Sequence, residues 1–173
     1  MINSLIKKDA RLKFFYSNVS HSLNHQQKKL YKKIDKFLNI YCKYHKLSHK
    51  KILNLYFNFL KSYSKDCENF VKTKKYPHRL NKRLKKVDRI SYELALIISC
   101  LVTNHRFGIM EQISKIKISK NCLFVGAGTG LEIFILKEKL KYYLAYDPGS
   151  SDFIFNIVKK KNFRKKKYNF SIK

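Results

Sequence analysis

Leu123-Phe124-Val125-Gly126-Ala127-Gly128-Thr129-Gly130-Leu131-Glu132 is the stretch whose reading decides the fold. Three of the chain's five glycines stand here on alternate positions. An apolar run, Cys122 to Val125, leads in, and a helix-like run, Leu131 to Leu140, leads out. That order predicts a strand, a tight turn and a helix. Side chains at the turn would keep a ligand away from the backbone, and glycine removes them. The turn is expected to leave free N–H groups at the start of the helix, where the dipole favours negative charge.

Downstream, Tyr142-Tyr143-Leu144-Ala145-Tyr146 reads as a second short strand ending at Asp147, 21 positions after Gly126. In a βαβ unit this sets a carboxylate at the tip of the second strand, beside the glycine turn. There it can accept hydrogen bonds from ribose hydroxyls.

Val125-Gly126-Ala127-Gly128-Thr129-Gly130 followed by Ala145-Tyr146-Asp147 resembles the first two motifs of class I S-adenosylmethionine-dependent methyltransferases. The Gly-x-Gly-x-Gly spacing fits them better than the dinucleotide fingerprint, which wants a small residue where Leu131 stands. The resemblance spans roughly residues 121–160. It implies S-adenosyl-L-methionine as cofactor, with Gly126, Ala127, Gly128, Thr129 and Gly130 around its methionine end and Asp147 on its ribose. It departs from the family at Phe124, where an acidic residue is common; Glu132 is the candidate to supply that contact. The fold class implied is α/β. A helical N-terminal part, residues 1–115, precedes an incomplete Rossmann-like parallel-sheet core, residues 116–173. The activity implied is methyl transfer to an acceptor that the sequence does not identify, and no catalytic residue can be named.

Only 43 residues follow Gly130. They supply a second strand and a third candidate, Tyr168 to Ile172, all on one side of the first strand. The other edge of Leu123 to Val125 is therefore expected to be unpaired and apolar, a hazard for aggregation or strand pairing. Three arrangements answer this. The chain is a fragment of a longer enzyme, which weighs most; or a second chain completes the sheet; or the N-terminal helices cover the edge. On the first reading the chain is a methyltransferase's cofactor-binding fragment, from which turnover on its own is not expected.

Before residue 115 the pattern is helical. Leu23, Leu30, Ile34, Phe37, Leu38 and Tyr41 recur at helical spacing and predict a helix over Leu23–Lys46. Ser48 is placed to cap a second helix, His49–Ser64. A shorter third follows over Asp66–Lys74, closed by Tyr76-Pro77. Asp88 is placed to cap the most apolar helix, Arg89–Ile113, with a break expected at Gly108. Met1 to Ser20 carries a short helix at most. Beyond Asp147 a turn, Pro148-Gly149-Ser150, precedes a helix capped by Ser150 or Ser151 and running to Lys160.

The formal net charge of +28 ordinarily points to nucleic acid or an anionic membrane. Here 33 of 39 basic residues are Lys and 6 are Arg, and Asn, Ile, Tyr and Phe abound. All but Arg have AT-rich codons, so drift in genome composition gives the same balance, and that reading outweighs a selected surface. The alternative function is still a basic nucleic-acid-binding protein without catalysis, using Lys159 to Lys167 and Lys72 to Lys86. The longest apolar run, Leu94 to Val102, is too short to span a bilayer, and no signal peptide is visible. Cys42, Cys67, Cys100 and Cys122 form no CxxC pair and read as reduced, partly buried thiols of a cytoplasmic protein. His45 and His49 are four apart but lack the glutamate of HExxH, so no metal site is expected. His105-Arg106, near the end of the apolar helix, reads as a helix-end salt bridge or cap more readily than as a group facing the cofactor.

Overall fold

The computed structural model describes residues 1–20, 23–75, 86–118, 121–147, 151–159 and 162–164. Its architecture is α/β, mostly helical with a small parallel sheet. Six helices come first: α1 (Ile2–Ile6), α2 (Ala10–Ser20), α3 (His25–Tyr44), α4 (His49–Thr73), α5 (Lys86–Val102) and α6 (Asn104–Lys115). Strand β1 (Asn121–Val125), helix α7 (Leu131–Leu136), strand β2 (Tyr142–Tyr146) and a two-residue strand β3 (Phe163–Arg164) follow. All pairings are parallel, in the order β1-β2-β3, with Val125 opposite Tyr146.

The helix starts follow local capping chemistry. Asn24 opens α3 with a capping box: its side chain accepts from the Gln27 N–H, and Gln27 returns the bond to the Asn24 N–H. Ser48 caps α4 as expected, accepting from the Lys51 N–H. Helix α4 does not stop at Ser64. It runs to Thr73, absorbing the expected third helix, and ends on Lys74 in the left-handed conformation, whose N–H donates to the Phe70 carbonyl.

Three further expectations are corrected. Helix α5 begins at Lys86, so Asp88 lies inside it rather than at its cap. The apolar helix breaks at Thr103, not at Gly108, which sits within α6. The Ser99 carbonyl accepts both the Thr103 N–H, at 3.0 Å, and the Thr103 hydroxyl, at 2.9 Å, a back-bond of the kind that bends helices. After Asp147 the expected helix to Lys160 is a five-residue 3-10 helix, Asp152–Asn156. The segments Tyr76–Lys85, Pro148–Ser150 and Tyr168–Ile172 lie outside the described residues.

Helix α5 is central. Its Leu94, Ala95, Ile97, Ile98, Leu101 and Val102 are buried, and it touches α2, α3, α4 and α6. Helix α3 contributes Leu30, Ile34, Phe37, Leu38 and Tyr41, each burial worth about 1.5–3 kcal/mol for the large aliphatic and aromatic side chains. The helices reach the sheet region through aromatic contacts: Phe37 lies 5.2 Å from Phe134 of α7 and 5.6 Å from Phe153. One continuous core therefore includes residues from both sides of residue 115.

Glu93 of α5 is buried inside this core. The Tyr41 hydroxyl of α3 donates to its carboxyl at 2.8 Å, and the Ser151 hydroxyl does so at 3.0 Å. Burial, with the Glu93 charge beside it, holds the Tyr41 phenol far above its ordinary range, so Tyr41 stays a donor. This network ties two helices to the segment after β2. Tyr41→Phe removes one donor from a buried carboxyl and is expected to cost about 1–3 kcal/mol, read as a lower urea midpoint at unchanged m-value.

Candidate cofactor site

The glycine turn is held to the end of β2 by its own backbone. Both the Gly126 and Ala127 N–H groups donate to the Tyr146 carbonyl, at 2.9 and 3.2 Å. The Gly128 N–H donates to the Asp147 carboxylate at 2.7 Å, the length of a charge-assisted bond. The Gly130 N–H then closes on the Ala127 carbonyl at 2.7 Å, and the Gly130 carbonyl accepts from Phe134 to start α7. The expectation of free N–H groups concerns the start of α7, from Leu131, and these four positions precede it. Their donors are spent on fixing the turn.

All three glycines have left-handed backbone: φ is +69° at Gly126, +51° at Gly128 and +80° at Gly130. Their surroundings divide them. A Cβ on Gly126 would meet nothing within 4 Å, and one on Gly128 only the Gly126 carbonyl at 3.9 Å. A Cβ on Gly130 would stand 2.7 Å from Ile154 Cδ1 and 3.2 Å from Ile157 Cγ2. Gly130 therefore lets α7 approach the segment after β2, whereas Gly126 and Gly128 present bare backbone on the open side of the turn. Ala127 and Thr129 are buried.

Phe124 is half-buried on the core side of the sheet, with Tyr143 at 6.3 Å. Glu132 is half-buried in the first turn of α7. Burial raises its carboxyl above the ordinary range, and the nearby Arg106 charge only partly opposes this. His105 and Arg106 are exposed in the first turn of α6. His45 packs on Tyr41, Tyr44 and Phe153, while His49 Nε2 lies 3.0 Å from the Ser4 hydroxyl, so the two do not form a ligand pair. Burial pushes the Cys42 and Cys100 thiols up to about 12, which suits packing rather than nucleophilic attack. Cys67 is exposed, against the expectation that all four thiols are partly buried.

The open flank of the sheet is as expected from the strand order. Strand β1 lies at one edge of the sheet among the described residues, and Leu123, Val125 and Tyr142 on one face are 61%, 72% and 69% exposed. Two surface hollows, of about 290 and 400 Å³, lie elsewhere; neither is lined by the glycine turn or Asp147. Among the described residues no helix is long and apolar enough to cross a membrane. No protein-family model matches the chain, and neither a curated protein nor a solved structure shows significant similarity to it.

Two expectations follow. Gly130→Ala combines a close contact with a left-handed backbone and should cost about 2–5 kcal/mol, against about 1–2 kcal/mol for Gly126→Ala, in paired chemical denaturation. Glu132→Gln should be more stable than the parent at neutral pH. A raised carboxyl favours folding only while it is protonated, so the variant's advantage vanishes near pH 4.5, the ordinary glutamate value, and grows as pH rises. Urea titrations across that range check the sign.

Proposed function

We propose that this chain binds S-adenosylmethionine at the glycine turn, as the cofactor-binding part of a class I Rossmann-like methyltransferase. The observation that carries this reading is the hydrogen bond from Gly128 N–H to Asp147, which puts the acidic strand tip directly against the turn. The resemblance asks for that juxtaposition, and 19 residues separate the two in the chain.

The fit rests on two further features. Gly126 and Gly128 leave backbone exposed where a Cβ would find open space, so a ligand can lie flat against the turn. A carboxylate accepts several hydrogen bonds at once, so Asp147 can hold Gly128 and a ribose hydroxyl together. The contact would be mostly van der Waals packing on glycine plus one charged acceptor, since the N–H groups of Gly126, Ala127, Gly128 and Gly130 are used internally. Gly130 supports the site indirectly, by seating α7.

The cofactor supplies an electrophilic methyl. An acceptor lone pair forms a bond to it while the carbon–sulfur bond breaks and its electron pair goes to sulfur, leaving a neutral thioether. The protein's part is positioning. A strand from a second chain on the outer edge of β1 would complete the sheet beside the turn and add wall to the site.

Calorimetric titration of the full chain with S-adenosylmethionine and with its demethylated product tests the proposal. Saturable binding is expected, with little salt dependence. Asp147→Asn keeps the shape and should weaken it about tenfold or more, the worth of a hydrogen bond to a charged group; Gly128→Val should abolish it. Absence of heat with both ligands, or unchanged affinity in Asp147→Asn, would refute it.

A further inference from the structure

The larger hollow, of about 400 Å³, lies between α3 and the end of α7. It is lined by Lys32, Lys33, Lys36, Lys137, Phe134 and Glu138: four cations against one carboxylate. Lys33 spends itself on Glu138, at 3.2 Å. Lys32, Lys36 and Lys137 are exposed and carry no ion pair among the described residues.

Drift in composition would account for the number of lysines, but it has no bearing on where the one acid of α3 is spent. Lys28, Lys32 and Lys36 recur every fourth residue and are all exposed, a like-charge spacing that works against the helix. The single acid of α3, Asp35, could have relieved it. Instead its carboxylate accepts from the Met1 ammonium at 3.2 Å and the Ile2 N–H at 2.7 Å. The helix therefore offers a row of uncompensated ammonium groups leading into a recess. Phe134, half-buried against Phe37, forms its apolar floor.

From this arrangement we infer that the α3–α7 hollow is a binding surface for single-stranded nucleic acid. Lys32, Lys36 and Lys137 would contact successive phosphates, and the exposed part of Phe134 would meet a base. The recess decides between polyanions. A flat anionic bilayer would touch only its rim, whereas a flexible strand can enter, and an aromatic floor suits a base. This inference does not depend on cofactor binding at the glycine turn.

Fluorescence anisotropy of the full chain with a labelled oligouridylate or oligothymidylate tests it. The parent should bind with a steep salt dependence. K32Q/K36Q/K137Q should lower the slope of log K against log salt by about 2, since each phosphate contact on a single strand contributes about 0.7. It should also weaken binding about tenfold at moderate salt. K50Q/K61Q/K65Q removes equal charge from exposed positions on α4 and should change the slope by well under half as much. In the parent chain, bound oligonucleotide should protect Lys32, Lys36 and Lys137 from amine acylation more than the α4 lysines. Equal losses in the two triple variants, equal protection, or no binding at low salt would overturn the inference. So would loss of binding to phosphatidylserine vesicles in K32Q/K36Q/K137Q with oligonucleotide binding intact.

Discussion

The carbonyl of Tyr146 and the carboxylate of Asp147 hold three consecutive N–H groups of the glycine turn. These bonds lock the exit of β1 onto the exit of β2, and the strand register continues into the turn. Backbone polar groups in such a partly buried corner must find partners. Here the turn finds them on the neighbouring strand rather than on a ligand. The conformation is therefore set in advance, and a ligand at this corner would bind to a shape already paid for by internal bonds. The same bonds give the three left-handed residues their place, which L side chains adopt only at a cost of about 1–2 kcal/mol each.

The strand–turn–helix–strand succession was legible because each of its signals is local. Apolar runs, alternate glycines and an acidic strand tip lie within about thirty positions, and the observed strands match them within two residues. The roles of the individual glycines were not legible. Gly130 is needed because Ile154 and Ile157 arrive from beyond β2, and nothing beside Gly130 in sequence announces them. The Glu93 network was hidden for the same reason: its partners are 52 and 58 residues away. Where a local signal was overruled, the competing chemistry is visible. Gly108 reads as a breaker, yet glycine is merely costly inside a helix, whereas Thr103 turns extended, with φ −126° and ψ 131°, while its hydroxyl back-bonds to Ser99. The Asn24–Gln27 capping box could have been read from the sequence, but the apolar Leu23 drew the helix start two residues too early.

Burial within the sheet is one-sided. Cys122, Phe124, Tyr143 and Ala145 face the core, while Leu123, Val125 and Tyr142 lie open. Parallel sheets ordinarily have both faces covered. Among the described residues the aromatic contacts of the helical part run from α3 to α7 and to Phe153, not to the side chains of this bare face. The expectation that N-terminal helices cover the open edge of β1 finds no support in this packing. Apolar area on the bare face is the kind that a further protein surface would remove from water at about 25 cal/mol per Å².

The two surfaces singled out here differ in the physics that would make them work, and helix α7 joins them. At its start, recognition would come from shape: bare glycine backbone and one acid, with little long-range field. At its end, Phe134 and Lys137 belong to a hollow where recognition would come from charge, screened within about 10 Å at ordinary salt. The positive charge of the chain cannot favour a cationic sulfonium, so on the proposed reading the glycine turn would have to bind it against the overall field through Asp147 and close packing. An anionic strand is drawn by that same field. Salt should thus act oppositely in kind on the two: negligible where contact is short-range and steep where lysines meet phosphates. That contrast follows from a short helix whose ends face different chemistry, and it lets each surface be examined while the other is left unaltered.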